Sequence, residues 1–158
     1  LKAVPIQEDA GYLQASFGII RDYPQTTYRN LSIPTWLYGH EWTSPFATHI
    51  AKLFENSVRE DTLLTIAYGG IIYAPGRAGT IQEVFQEAVQ NHYLTFGFAS
   101  PMVFLDTEFW TKTTPFYPLL VDLMNKGIYK NLLLSLTDEP EEVVETITLF
   151  QKTCQDTL

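Results

Sequence analysis

A chain of 158 residues that is 46% hydrophobic and 14% aromatic is large and apolar enough to bury a core of its own, which excludes a disordered resting state. Its formal net charge of −8 argues against binding a nucleic-acid polymer, which needs a basic footprint, but leaves room for a small phosphorylated ligand. The single cysteine, Cys154, excludes an internal disulfide and a multi-cysteine metal site; with no apolar run of membrane-spanning length and no basic-then-apolar leader, the reading is a cytoplasmic protein without membrane association.

In chain order, Leu1–Pro5 reads as the end of a helix, and there is no initiator Met, so the expectation is the C-terminal part of something longer. Asp9 is placed to cap a helix from about Gly11 to Asp22, with Leu13, Phe17 and Ile20 on one face. Tyr23-Pro24 ends it, and Gln25–Leu31 is a polar connector. Ile33–Tyr38 predicts a buried strand, with Pro34 tolerated near its start, and Gly39–Thr43 a loop. Ser44-Pro45, an N-cap followed by proline at the first helical position, predicts a helix carrying Phe46, Ile50, Leu53 and Phe54 inward. A second helical segment covers about Val58–Ala67.

Gly69–Tyr73 predicts a short strand, Ala74-Pro75-Gly76 a turn, and Thr80–His92 a helix with Ile81, Phe85, Ala88 and Val89 on its apolar face. Met102–Asp106 and Leu132–Leu136 are further buried strands, separated by a helix over Pro115–Ile128. Asp138 and Glu141 resemble a capping box for a terminal helix that contains Pro140 in its first turn and reaches about Lys152. Continuous apolar strands alternating with helices predict an α/β domain with a parallel sheet and helices on both faces, Rossmann-like and apparently the C-terminal part of a doubly wound fold. The expected organisation is a helical lead-in over 1–31 and one Rossmann-like core over 32–158.

The segment Ala74–Glu83 (APGRAGTIQE) lies where such a sheet binds ligands, beyond the carboxyl end of a strand. Gly76 and Gly79 let the backbone turn sharply and approach a ligand, and Thr80 opens a helix whose free N–H groups and positive dipole end favour an anion. Arg77 and Ala78 complete the turn, and Arg77 adds charge to it. Thr80-x-x-Glu83 matches a capping box, and on spacing alone that structural role for Glu83 is favoured; the competing role is a carboxylate acting on a ligand. His40 and Glu41 follow the strand at Ile33–Tyr38, at its ligand-facing end, as base or ribose contacts or as a solvated loop pair. His49 falls within a predicted helix, and His92 at a helix C-terminus fits dipole complementation. Trp36, Trp42 and Trp110 are expected in core and subunit contacts.

The run PGRAGTIQE resembles the PGGxGTxxE signature of the LONELY GUY (LOG) proteins, a family also known as lysine-decarboxylase-like. The resemblance extends from about Ile33 to Phe150, with the stretches FATHIAKLFENSVRED and QNHYLTFGFASPMVFL pointing to the long bacterial variants. It implies a Rossmann-like phosphoribohydrolase that cleaves nucleoside 5′-monophosphates to base and ribose 5-phosphate, with no cofactor and no metal, acting as a homodimer or higher homo-oligomer. Glu83 then matches the family's catalytic glutamate, Arg59 in NSVRED its partner arginine, and Gly76, Gly79 and Thr80 the phosphate-binding turn. Arg77 departs from the second glycine of the signature, either contacting the phosphate or narrowing the pocket. The family's first glycine-rich loop is not found in these residues. The competing functions are a non-catalytic nucleotide-binding or regulatory module and the oligomerising part of a longer protein.

Overall fold

Pro101–Leu105 (β4) contains four consecutive buried residues, the signature of a strand covered on both faces, and the rest of the larger sheet is arranged around it. A computed structural model describes residues 9–24, 27–36 and 43–155 and divides the chain into two compact units, Leu1–Asp61 and Thr62–Leu158. The boundary falls inside the helix α2, Asn56–Ile66.

In the second unit β4 is flanked by β3 (Ile71–Tyr73) and β5 (Leu133–Thr137), all parallel, in the order β3-β4-β5. Tyr73 pairs with Phe104 and Leu105 with Thr137, so the carboxyl ends of the three strands finish at one edge. Helix α3 (Ala78–Tyr93) connects β3 to β4, α4 (Phe116–Asn125) precedes β5, and α5 (Pro140–Gln155) follows it. Alternation along β4 sends Met102 and Phe104 into a core with Tyr73, Val84, Ala88 and Leu120. Val103 is fully buried outside that cluster, and α5 contacts β4 and β5. Glycine is required at position 70: its φ is +119°, and an added Cβ would lie 2.7 Å from Ile147 Cδ1 of α5 and 2.9 Å from the Pro101 carbonyl.

The three strands expected at Gly69–Tyr73, Met102–Asp106 and Leu132–Leu136 are present with ends shifted by one or two residues. The segment after β4, which carried no expectation, forms a helical turn that continues as a π-helix over Phe109–Thr113. It is fastened by Asp106 Oδ1, which accepts the Phe109 N–H at 2.9 Å, and by Trp110, whose side chain is fully buried. The capping box expected from Asp138 and Glu141 is not formed. Asp138 Oδ1 instead accepts the Thr107 N–H at 2.7 Å, and Thr137 Oγ1 accepts the Glu139 N–H and donates to Glu142 Oε2 at the start of α5. The tertiary neighbour Thr107 takes the acceptor that local spacing assigns to the helix.

In the first unit, α1 runs Asp9–Asp22, two residues earlier than expected; Ser16 is buried while Phe17 is exposed. A two-stranded parallel sheet joins β1 (Leu31–Ser32) to β2 (His49–Ile50). Its backbone ladder continues past the named strands, since Leu53 N–H donates to Pro34 O and Trp36 N–H to Leu53 O. Pro34 contributes only its carbonyl, which explains why regular pairing breaks there. Ile33–Thr35 are buried as expected, whereas Leu37, Tyr38 and the predicted loop as far as Trp42 lie outside the described residues.

The helix expected after Ser44-Pro45 is absent. Ser44 O accepts the Ala47 N–H at 3.0 Å and Ser44 Oγ the Phe46 N–H at 3.3 Å, closing one turn, after which the chain pairs as β2. Asn30 decides this outcome: its Oδ1 accepts the Thr48 N–H and its Nδ2 donates to Phe46 O, capturing polar groups a helix would have used itself. Ile50 and Phe54, expected inward, are exposed, and His49 lies in β2 rather than in a helix.

Candidate functional site

The carboxyl end of β3 passes through Ala74–Arg77 directly into α3, and this junction holds most of the residues singled out by the sequence. The helix begins at Ala78, with Arg77 as its N-cap at φ −121° and ψ −155° and no side-chain capping bond. The first intrahelical bond runs from Ile81 N–H to Arg77 O at 3.1 Å. Ala78, Gly79 and Thr80 therefore form the first turn, where helical geometry leaves N–H groups without intrahelical acceptors. Thr80 is the third helical residue rather than the cap, so the Thr80–Glu83 capping box does not apply.

The reason lies at Gly76. Its backbone packs against the Thr80 side chain so closely that an added Cβ would sit 2.6 Å from Thr80 Cβ. Thr80 thus folds under the turn, and the helix starts two residues earlier than its threonine suggests. Gly76 is needed here for its lack of a side chain: positive φ values among the described glycines occur at Gly70, Gly97 and Gly127. Arg77 is exposed, and its extended backbone is accessible to any residue, so arginine at this position introduces no strain.

Glu83 lies in the second turn of α3, partly buried, with Oε1 shielded from solvent. Arg59 lies in α2 within the first unit. Its Nε donates to Asn56 Oδ1 at 3.0 Å, and a guanidinium nitrogen lies 3.6 Å from Oε1 of the fully buried Glu60. Asn56 Nδ2 also donates to Glu60 Oε1, so the asparagine ties both partners together. His40 falls outside the described residues. The structure therefore brings together Gly76, Arg77, Ala78, Gly79, Thr80 and Glu83 at one strand-to-helix junction.

Four polar residues of β3, α3 and the segment before β4 were not singled out by the sequence. Glu87 and Asn91 extend the row begun by Glu83 at intervals of four along α3, and both are buried. Asn91 clamps Ser100 through two bonds, Nδ2 to Ser100 O at 2.9 Å and Ser100 N–H to Oδ1 at 2.8 Å; Ser100 Oγ in turn donates to Glu87 Oε1. Burial pushes the Glu87 carboxyl above its ordinary value of 4.5, and the Ser100 bond opposes that rise without reversing it. Tyr73, the last residue of β3, is 2% exposed, and its hydroxyl makes no hydrogen bond. Burial first, then the nearby Glu87 and Glu83 carboxylates, raise the phenol well above 10.0. The spacing Glu83-Glu87-Asn91, at intervals of four along one helix, was the available signal for two of these positions, Glu87 and Asn91.

Trp110 Nε1 donates to both the Tyr73 and the Leu105 carbonyls at 3.1 Å and so links the ends of β3 and β4. Next to it, Asp106 adopts φ +90°, a costly conformation for a non-glycine residue, and its backbone N–H is held by Thr137 O at 3.1 Å. Among the described residues no group of three or more His, Cys, Asp or Glu is placed to hold a metal ion, and no helix is long and apolar enough to cross a membrane. No protein-family model matches the chain, and no curated protein matches it.

Proposed function

We propose that this protein binds a nucleoside 5′-monophosphate and hydrolyses its N-glycosidic bond, releasing the base and ribose 5-phosphate. The observation that carries the reading is the position of Glu83. It stands clear of the helix cap, at the carboxyl end of a parallel sheet, behind a glycine turn and a helix start that no side chain caps. A carboxylate with only a capping task would sit at the third helical position, opposite a Ser, Thr, Asp or Asn cap. Here the cap is Arg77 and Glu83 is the sixth residue.

The chemistry follows from the bond to be broken. Departure of the base builds positive charge on the ribose, and a carboxylate on the far side of the sugar stabilises it and orients the water. The water oxygen bonds to the anomeric carbon as one of its protons passes to the carboxylate; the bonding electrons leave with the base, which takes a proton from solvent, and the carboxylate then returns its own to solvent. The first N–H groups of α3 and the Arg77 guanidinium supply anion contacts for the 5′-phosphate. We read the sheet as part of a doubly wound, Rossmann-like fold. The clustering of α3 and α4 residues with Met102 and Phe104, and the contact of α5 with β4 and β5, support it.

The test is release of ribose 5-phosphate from a panel of nucleoside 5′-monophosphates. The expected outcome is turnover of at least one of them, reduced by about 10²–10⁴-fold in Glu83→Gln. Tight nucleotide binding without turnover would sink the enzyme and leave a nucleotide-binding module.

A further inference from the structure

A backbone N–H can only donate, so a ring nitrogen that meets one carries a lone pair and no proton. His92, in the last turn of α3, is bonded in this way. Its Nδ1 accepts the Lys130 N–H at 3.0 Å, which puts the ring proton on Nε2 and leaves the ring uncharged. The same residue is held a second time through its carbonyl. Asn131 Nδ2 donates to His92 O at 3.2 Å, at the end of the helix where helical geometry supplies no donor. Together the two bonds clip the C-terminal turn of α3 to the segment that leads into β5, across 38 and 39 positions of the chain. That segment is otherwise tightly placed. Asn131 holds φ +59°, Tyr129 packs against the core cluster to which Leu132 belongs, and the His92 ring meets Tyr93 and Tyr129 edge-on with centroids 4.6 and 5.8 Å apart.

Its position pulls His92 in two directions. At the C-terminal turn of a helix the dipole favours a cation, which suits the imidazolium. The Lys130 N–H requires the uncharged ring, because a proton on Nδ1 would set two donors against each other. We propose that His92 is a pH-operated latch: uncharged, it fastens the 129–131 segment to α3, and protonated at Nδ1 it lets go of the Lys130 N–H and frees that segment. Uptake of one proton breaks one hydrogen bond, and the charge that appears is received by the carbonyl end of α3 and by water. The titratable groups that meet the ring are the phenols of Tyr93 and Tyr129. The cations on the packed segment are Lys130 itself and Lys126, which is bonded to Asp122 at the end of α4. Only the uncharged ring fits the closed form, so protonation and opening each promote the other. The latch therefore opens as pH falls through the range in which histidine gains its second proton and closes as pH rises again. It sits at the amino end of β5, whereas the glycine turn follows the carboxyl end of β3. Its action does not depend on Glu83 or on any nucleotide.

The test is NMR of the intact protein labelled with ¹⁵N, followed from neutral to acidic pH. Ring ¹⁵N shifts distinguish a bare histidine nitrogen from a protonated one, and the His92 signals are those lost in His92→Asn. At neutral pH Nδ1 is expected to be bare and Nε2 protonated. On acidification the protection factor of the Lys130 amide, which already allows for the pH dependence of intrinsic exchange, is expected to fall roughly tenfold, the worth of about one hydrogen bond, in step with the His92 ring titration. His92→Asn offers an amide oxygen about where Nδ1 stands and has no proton to gain, so Lys130 should stay protected across the same range. His92→Phe keeps a ring without an acceptor and should leave Lys130 poorly protected at every pH. Amides of Met102, Val103 and Phe104, read in the same samples, are expected to keep their protection while Lys130 loses its own. A proton on Nδ1 at neutral pH, Lys130 protection that ignores the His92 titration, or loss of protection in His92→Asn at acidic pH would each overturn the proposal. So would loss of Met102–Phe104 protection together with that of Lys130, since the acid transition would then be global unfolding rather than release of one segment.

Discussion

Glu87 shows how one buried side chain links burial to pH. Its folded-state ionisation lies above the ordinary carboxylate value because burial penalises the charge. In the unfolded chain the group ionises near 4.5, so between that pH and the raised folded value the native state binds more protons than the unfolded state. Stability therefore falls as pH rises through this window, and above it Glu87 adds no further pH dependence. Glu87→Gln cannot ionise, so urea midpoints across the window should decline less steeply with pH in the variant than in the wild-type protein. Parallel declines would mean that Glu87 is already ionised in the folded state. Glu83, four residues earlier and partly exposed, occupies the wetter end of the same row. Neither environment could be read from two glutamates in a sequence, although their spacing was visible.

At the scale of elements, the strand-to-helix junction is set by a contact between the turn and the helix it precedes. The absence of a side chain at Gly76 lets Thr80 fold beneath the turn, which places the start of α3 at Ala78. Gly76→Ala sets a methyl against the Thr80 side chain, with its Cβ 2.6 Å from that of Thr80, and overpacking of this kind costs about 1–3 kcal/mol. Chemical unfolding is expected to show that loss, and Thr80→Ala in the same background to restore part of it by removing Oγ1 and Cγ2. Full additivity of the two substitutions would show that the contact does not govern the junction. Local signals failed in a common way: Ser44-Pro45, Thr80/Glu83 and Asp138/Glu141 each read as a helix start. In every case a bond or a packing contact that these local signals do not include set the outcome: Asn30 bonding Phe46 and Thr48, Thr80 packed against Gly76, and Thr107 on Asp138.

Across the whole molecule, the two units differ in how their backbone is protected. β4 is central to a three-stranded sheet and buried over four residues, whereas β1 and β2 are two residues each and their side chains are largely exposed. Amide exchange is governed by local and sub-global opening, so Met102–Phe104 should be the slowest-exchanging stretch and His49–Ala51 should exchange well before it. Equal protection at both places, measured by hydrogen–deuterium exchange, would indicate one cooperative unit in place of two. Apolar runs long enough to be buried on both faces are legible without a structure, which is why β3, β4 and β5 were expected where they occur. The first unit was less legible because its ladder runs through Pro34 and depends on Asn30 side-chain bonds, neither of which leaves a period in the sequence.

Hydrophobic pattern and turn chemistry alone determined the α/β class, the three main strands, the helices between and after them, and the glycine turn ahead of Glu83. These follow from interactions among residues close in the chain and from the need to bury apolar runs. Tertiary structure alone decided that Thr80 is not the cap, that residues after Ser44 pair as a strand, that Asp106 holds a positive φ, and that Tyr73 and Glu87 are buried. Those outcomes depend on groups many residues apart meeting in space, where desolvation and competition for hydrogen bonds, rather than local preference, set the lowest free energy.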